Sequence, residues 1–223
     1  MKSLGHIIEK KFPLSPGSLR AIAKQIMEGL RLINANGLIH RNIKAENLLL
    51  HCPLGSDRVT VKITGFKHVK VRNDCQLYNP GSIDKSMQLS AKGQQSEIPL
   101  TEPPELRNGD GKFDSRVDVY SAGVVIFQLA SLESKIERFS DHKLIRPSTI
   151  DDDQLWDFLV HILDYDRKTR YLAEEALQHQ YFNLANAVRD LSEEAGKLAE
   201  KALLDKQNGD ETITQYDLDS TFI

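Results

Sequence analysis

The stretch His40-Arg41-Asn42-Ile43-Lys44-Ala45-Glu46-Asn47, with Val61-Lys62-Ile63-Thr64-Gly65-Phe66-Lys67 after it, decides how this chain is read. The first segment is a polar loop between two short apolar runs, Leu38-Ile39 and Leu48-Leu49-Leu50. In the second, Val59, Val61 and Ile63 alternate with Thr60 and Lys62, which is the period of a half-buried strand. Three short β pieces therefore surround one loop, His40 to Asn47.

The segments on either side read as helices. Ser15-Pro16 is a capping residue followed by Pro at the first helical position. Leu19, Ile22, Ala23, Ile26, Leu30 and Ile33 then recur at helical spacing, and Asn34-Ala35-Asn36-Gly37 ends the run, with Gly37 suited to a left-handed cap. A second helix spans about Ser115 to Leu132. Its apolar residues cover most of the circumference, the pattern of a helix buried in the middle of a domain. Leu155, Phe158, Leu159, Ile162 and Leu163 mark a third, and a short one follows around Ala173 to Leu177.

Between Phe66 and Thr101 periodicity fades into Ser, Gln, Asn, Gly and Lys. Structureless loops longer than about 12–15 residues are usually functional or disordered. After residue 182 the composition shifts. Residues 1–182 carry 25 basic and 23 acidic side chains, a net of +2, while residues 183–223 carry 4 and 9, a net of −5. The tail reads as an acidic appendage with an amphipathic helix over about 184–206 and a polar, disordered end. That helix suits either docking on the domain or pairing with a partner helix. Asp205-Lys206-Gln207-Asn208-Gly209-Asp210 is not a calcium loop, because its Gly falls one position early and no Glu closes it.

The overall charge of −3 lacks the basic excess of a dedicated nucleic-acid binder. Cys52 and Cys75, 23 residues apart with no metal-binding spacing, read as free thiols of a reducing compartment. Met1 to His6 lead into no apolar segment, and the densest apolar run, Ala122 to Phe127, is too short to cross a membrane. These features lead to the expectation of a cytoplasmic chain with no membrane and no nucleic-acid partner.

On the two quoted segments the sequence resembles the eukaryotic protein kinase family. The first is similar to the catalytic loop His-Arg-Asp-Leu-Lys-x-x-Asn, with Asn42 in place of Asp. The second is similar to the strand entering Asp-Phe-Gly, with Gly65 and Lys67 in place of Asp and Gly. The resemblance continues in order through Pro103-Pro104-Glu105, Asp118-Val119-Tyr120-Ser121-Ala122-Gly123, and Asp164 to Arg170 with Glu174 to His179. It covers residues 1–182 and implies a mainly α fold: the large, C-terminal kinase lobe, a few short strands around the catalytic loop, and an activation segment over about 65–105. The small β lobe, with its Gly-rich loop, strand Lys and partner Glu, has no counterpart.

The resemblance also implies a role for each matched residue. The catalytic Asp falls on Asn42, whose amide cannot accept the substrate proton as a carboxylate can. The main metal-binding Asp falls on Gly65, and the Thr that contacts the catalytic Asp falls on Ile98. Lys44 matches the Lys that steadies the transferred phosphate. Asn47 is what remains of the metal ligands, so ATP and magnesium are implied by the family but the site is incomplete. His40 and Phe66 match two members of the hydrophobic spine. Asp118 matches the carboxylate that anchors the catalytic-loop backbone, and Glu105 and Arg170 match a buried ion pair. Arg41 matches the Arg that binds an activation-loop phosphate, with Ser82, Ser86, Ser90 and Ser96 in that loop. The stretch from Glu133 to Asp153 is short for a substrate-facing helix.

Three readings of function follow. One is a catalytically impaired pseudokinase that acts as a scaffold or allosteric partner of another protein, with another kinase as one candidate. The second is an ATP-dependent Ser/Thr kinase whose small lobe lies in upstream sequence. The third is a truncated remnant or a helical interaction protein using its tail.

Overall fold

The computed structural model describes residues 2–52, 59–71, 101–107, 113–183, 190–191 and 193–222. Ser82, Ser86, Ser90, Ser96 and Ile98, and with them most of the activation segment, lie outside the described residues, as does Cys75.

Helix α2 (Pro16–Ala35) starts where Ser15 Oγ accepts a hydrogen bond from Ser18 N at 3.1 Å, with Pro16 in the first turn. It ends at Gly37, whose φ of +70° is the left-handed conformation glycine adopts without penalty. Its inner face buries Leu19, Ile22, Ala23, Ile26, Met27 and Leu30. Before it lie strand β1 (Lys2–Ser3) and helix α1 (Leu4–Glu9). After it come β2 (Leu38–Ile39), β3 (Leu48–His51), β4 (Thr60–Ile63) and β5 (Lys70–Val71). Strands β1, β3 and β4 form one antiparallel sheet, with Leu48 opposite Ile63 and Lys2 opposite Leu50, and β2 pairs with β5. The loop from His40 to Asn47 is thus carried between two small sheets.

The remaining helices are α3 (Pro104–Arg107), α4 (Arg116–Ser131), α5 (Asp153–Ile162), α6 (Ala173–Leu177) and α7 (Glu193–Gln207). Helix α4 is buried nearly all round, as its all-apolar circumference requires. It lies in one continuous core with α2 and α5 that runs from Leu4 to Phe182. Gly123 lets α4 sit against the end of α5, since a Cβ there would fall 2.9 Å from Leu163 Cδ2. Gly29 does the same where α2 crosses β4, at 2.7 Å from Ile63 Cδ1. No helix lies between Leu132 and Asp153; that stretch is irregular apart from one bridge between Arg138 and Leu144. The result is a mainly helical fold with a few short strands.

In the tail the described part of the helix runs from Glu193 to Gln207, and residues 184–189, where the sequence places its start, lie outside the described residues. The helix docks on the domain: Ala195 and Leu198 line a groove with Ile7, Leu14, Ile22 and Leu50. The end expected to be disordered instead follows turns laid on α2. Polar composition concealed this, because the attachment is itself polar: Lys24 pairs with Asp219, and Gln25 reaches the Phe222 carbonyl. Among the described residues no helix is long and apolar enough to cross a membrane.

Candidate functional site

Asp118, in the first turn of α4 and 1% exposed, is the anchor under the His40–Asn47 loop. Its two carboxylate oxygens accept from His40 N and Arg41 N, each at 2.7 Å. The backbone needs that hold, because Arg41 sits at φ +61°, a conformation a residue with a Cβ keeps only when its surroundings impose it. Burial pushes the Asp118 carboxyl up to about 6, and the two N–H groups act against that rise. The Arg41 guanidinium lies over the Phe113 ring at 4.9 Å.

His40 is fully buried. Its Nδ1 accepts from Asn42 N at 3.2 Å, so the ring proton sits on Nε2, which donates to the Thr64 carbonyl at 3.0 Å. Both partners are satisfied by the neutral ring, and burial holds the imidazole below its usual range. Phe66 meets His40 edge to face at 4.6 Å but is itself 48% exposed.

The polar side chains that follow are turned onto the loop's own backbone. Asn42 Nδ2 donates to the Gly65 carbonyl at 3.0 Å, and Asn47 Nδ2 donates to the Asn42 carbonyl at 2.8 Å. The Asn47 carbonyl accepts from Thr64 N and Thr64 Oγ1 at 2.9 and 3.1 Å, stitching the loop to the segment after β4. Gly65 has φ +83°, and a Cβ there would fall 2.6 Å from Asn47 Nδ2 and 2.9 Å from Asn47 Oδ1. Lys44 is exposed, and its side chain makes no hydrogen bond or ion pair with the described residues.

This arrangement does not fit a magnesium–nucleotide complex of the kind the resemblance implies. Magnesium takes hard oxygens, usually including one or two carboxylates. Positions 42 and 47 offer only neutral amides, held in place through their Nδ2 groups, with an amide oxygen and no carboxylate at either. Position 65 offers no side chain, and the space one would occupy is filled by Asn47.

A second cluster, Asp157, His161 and His179, brings ligand-type atoms together. Its hydrogen bonds argue against a metal. His179 Nδ1 accepts from Tyr181 N, so its Nε2 donates to Asp157 Oδ2 at 3.0 Å. His161 Nδ1 faces the Asp157 carbonyl at 2.8 Å and donates to it. His179 therefore turns a proton, not a lone pair, toward the carboxylate, and the His161 Nδ1 proton is spent on the Asp157 backbone carbonyl.

Away from the loop, Glu105 and Arg170 form a two-pronged ion pair at 2.7 and 3.0 Å, with side chains 7% and 0% exposed. Arg170 also donates to the Asp164 and Arg116 carbonyls and lies over the Tyr120 ring, so α3, α4 and the turn after α5 meet on one guanidinium. Two residues that the sequence reading passed over do comparable work. Arg20 and Gln25 are buried on α2 among apolar neighbours. Arg20 holds the Tyr181 carbonyl and Asp190, and Gln25 holds Val61 N, the Val59 carbonyl and the Phe222 carbonyl. The available signal was two polar residues interrupting an apolar helix face.

The protein kinase domain family model matches residues 1–182. The chain belongs to the protein kinase domain family. Its similarity to individual kinases is spread over that span and is modest. It is 27% identical over 193 residues to the serine/threonine-protein kinase STK11 of Gallus gallus, covering 82% of this chain and 40% of that protein. It is 26% identical over 192 residues to the phosphorylase b kinase gamma catalytic chain, liver/testis isoform, of Homo sapiens, covering 78% and 43%. The chain thus spans about two-fifths of the length of these two curated relatives. Among solved structures, a kinase chain in the yeast RNA polymerase II CTD kinase CTDK-1 complex superposes with a TM-score of 0.62 at 18% identity, covering 82% of this chain and 68% of that one. The structure of the Rad53 kinase domain with SCD2 gives 0.58 at 20% identity, covering 82% and 62%. At such identities these neighbours speak for the fold.

Proposed function

We propose that this kinase-family chain works as a pseudokinase: a scaffold or allosteric partner that binds another protein, with a further kinase as one candidate. The observation that carries the reading is the polar chain Asn47–Asn42–Gly65, in which an amide at 42 and a glycine at 65 stand where the family places carboxylates, and the Nδ2 groups of Asn42 and Asn47 are spent on backbone carbonyls. Phosphoryl transfer depends on positioning and on neutralising the charge of the transferred group. Without a carboxylate at 42 or 65, the loop lacks the group that accepts the hydroxyl proton and the charged ligand of the metal, and Asn47 alone is left of that set. The anchors around it, Asp118 and the Glu105–Arg170 pair, keep the lobe's shape regardless, which is what a binding role needs. The exposed Cys52 thiol and the lack of a basic excess suit a cytoplasmic protein that binds protein rather than nucleic acid.

The test is phosphate transfer from radiolabelled ATP, with magnesium or manganese, to generic protein substrates and to the chain itself. The expected result is no incorporation above a heat-denatured control. Turnover that disappears in Lys44→Ala or Asn47→Ala contradicts the proposal.

A second reading is favoured by one feature, the exposed and uncommitted Lys44 beside the loop, which suits a phosphate contact. In that reading the chain is the large lobe of an ATP-dependent Ser/Thr kinase whose small lobe is supplied by upstream sequence. Transfer activity in a transcript-derived longer chain, and none in its Lys44→Ala variant, distinguishes it.

A further inference from the structure

Residues 208–222 lie as a strap along α2, and the attachments are few and specific. Lys24 Nζ donates to Asp219 Oδ2 and Thr221 Oγ1, each at 2.6 Å. Gln25 Nε2 donates to the Phe222 carbonyl at 2.6 Å. Tyr216 Oη donates to Glu28 Oε1 at 2.5 Å, and the Tyr216 ring stacks on Phe222 with centroids 4.7 Å apart. Beneath the strap a cavity of about 340 Å³ remains, lined by Gly29, Leu32, Val61, Tyr216 and Phe222 among others. Apolar packing is therefore incomplete, and the strap depends on its polar ties.

Tyr216 is the tie that chemistry can break. Its oxygen already touches a carboxylate, and Glu28 is fixed from the other side by the Arg31 fork at 2.6 and 2.8 Å. A phosphate adds three oxygens and about −1.5 to −2 of charge at that atom. Of the nearby cations, Arg31 faces the Tyr216 oxygen but is held by the Glu28 fork, Lys24 is held by Asp219, and Asp217 adds a further negative charge beside the ring in sequence. A phosphate on Tyr216 would set its charge against the Glu28 carboxylate that the docked strap rests on.

We propose that Tyr216 is a phosphorylation site for a separate tyrosine kinase, and that its phosphate keeps residues 208–222 off α2. In the undocked strap, Tyr216 Oη attacks the γ-phosphorus of a nucleoside triphosphate held by that enzyme. The new O–P bond forms as the bond to the β-phosphate oxygen breaks, nucleoside diphosphate leaves, and the phenolic proton passes to the enzyme's base. The modified strap cannot return, so the population shifts to the released form. This inference is independent of whether the chain itself transfers phosphate.

The test uses the full chain, unmodified and with phosphotyrosine encoded at position 216, read by amide hydrogen exchange and limited proteolysis. Exchange and cleavage over 208–222 are expected to rise at least about tenfold on modification, with α4 unchanged and phosphatase treatment restoring protection. Equal protection in the two forms overturns the proposal. Tyr216→Phe keeps the ring stack and is expected to leave the strap within about threefold of the unmodified chain. Release by Tyr216→Phe as complete as that by phosphate overturns the assignment to phosphate. A purified tyrosine kinase domain with ATP is expected to label Tyr216 of the unmodified chain. No label there, while a free peptide of residues 209–223 is labelled, overturns the site.

Discussion

Asn47 stands in the space that a side chain on residue 65 would need. A Cβ on Gly65 would fall within 2.9 Å of three Asn47 atoms, at a backbone φ of +83°. The catalytic-loop Asn and the residue where the family places its metal-binding Asp are thus packed against each other, and the one position excludes a side chain at the other.

This packing predicts the cost of filling residue 65. Gly65→Ala combines a left-handed backbone with a clash against the Asn47 side-chain amide and is expected to destabilise by about 2–3 kcal/mol. Gly37 has a similar φ of +70° but open space around its Cβ, so Gly37→Ala should cost only about 1 kcal/mol. Urea unfolding of both variants measures the difference. Asn47→Ala made together with Gly65→Ala should be less than additive, because the clash is removed.

Asp118 serves two backbone donors with two oxygens. Asp118→Asn replaces one acceptor with an NH₂ group and leaves either His40 N or Arg41 N facing a donor. The expected loss is about 1–3 kcal/mol by denaturant unfolding, the cost of a buried group left unpaired. Because Arg41 depends on this hold for its φ of +61°, loosening should be local, with amide exchange rising over 40–42 before the rest of the lobe.

For the buried pair, Glu105→Gln and Arg170→Leu should each cost about 3–5 kcal/mol, since each strands the other partner. The double replacement by apolar residues should cost less than the sum of the two. Additive losses in a double-mutant cycle contradict a direct coupling.

The histidines set an acid limit. Burial holds both His40 and His179 below the usual imidazole range. The unfolded chain therefore takes up protons first as pH falls below about 6.5, and the stability these rings contribute is present above that pH and lost below it. Asp118 works in the opposite direction, its carboxyl being raised to about 6, so its contribution is present at low pH and lost as pH rises through 6. Comparing the chain with His179→Asn cancels the Asp118 effect. Asn can still accept from Tyr181 N. The unmodified chain should lose stability relative to this variant as pH falls from about 7 to 5, and parallel pH profiles contradict the account.

Much of this was legible in the sequence, and for physical reasons. The Ser15-Pro16 start, the Gly37 stop and the apolar girth of α4 are local signals that tertiary packing reinforces. The pairing of Asp118 with the loop and of Glu105 with Arg170 spans 65 to 78 residues of chain, so only the family resemblance pointed to it. The inward turn of Asn42 and Asn47 was not legible, since composition shows which groups are present and not what they bond. The strap was missed for the same reason. Asp219, Thr221 and Tyr216 look like solvated tail residues until Lys24 and Glu28 are seen opposite them.

The central claim is that the loop is closed to a metal-bound nucleotide. It is tested most directly by following the unfolding temperature of the full chain while titrating ATP with magnesium to millimolar levels. A ligand that binds the folded state at one hundred times its Kd adds about 2.7 kcal/mol, a shift that such a measurement resolves easily. The account predicts no change. A saturable, magnesium-dependent rise that is lost in Asn47→Ala would contradict it.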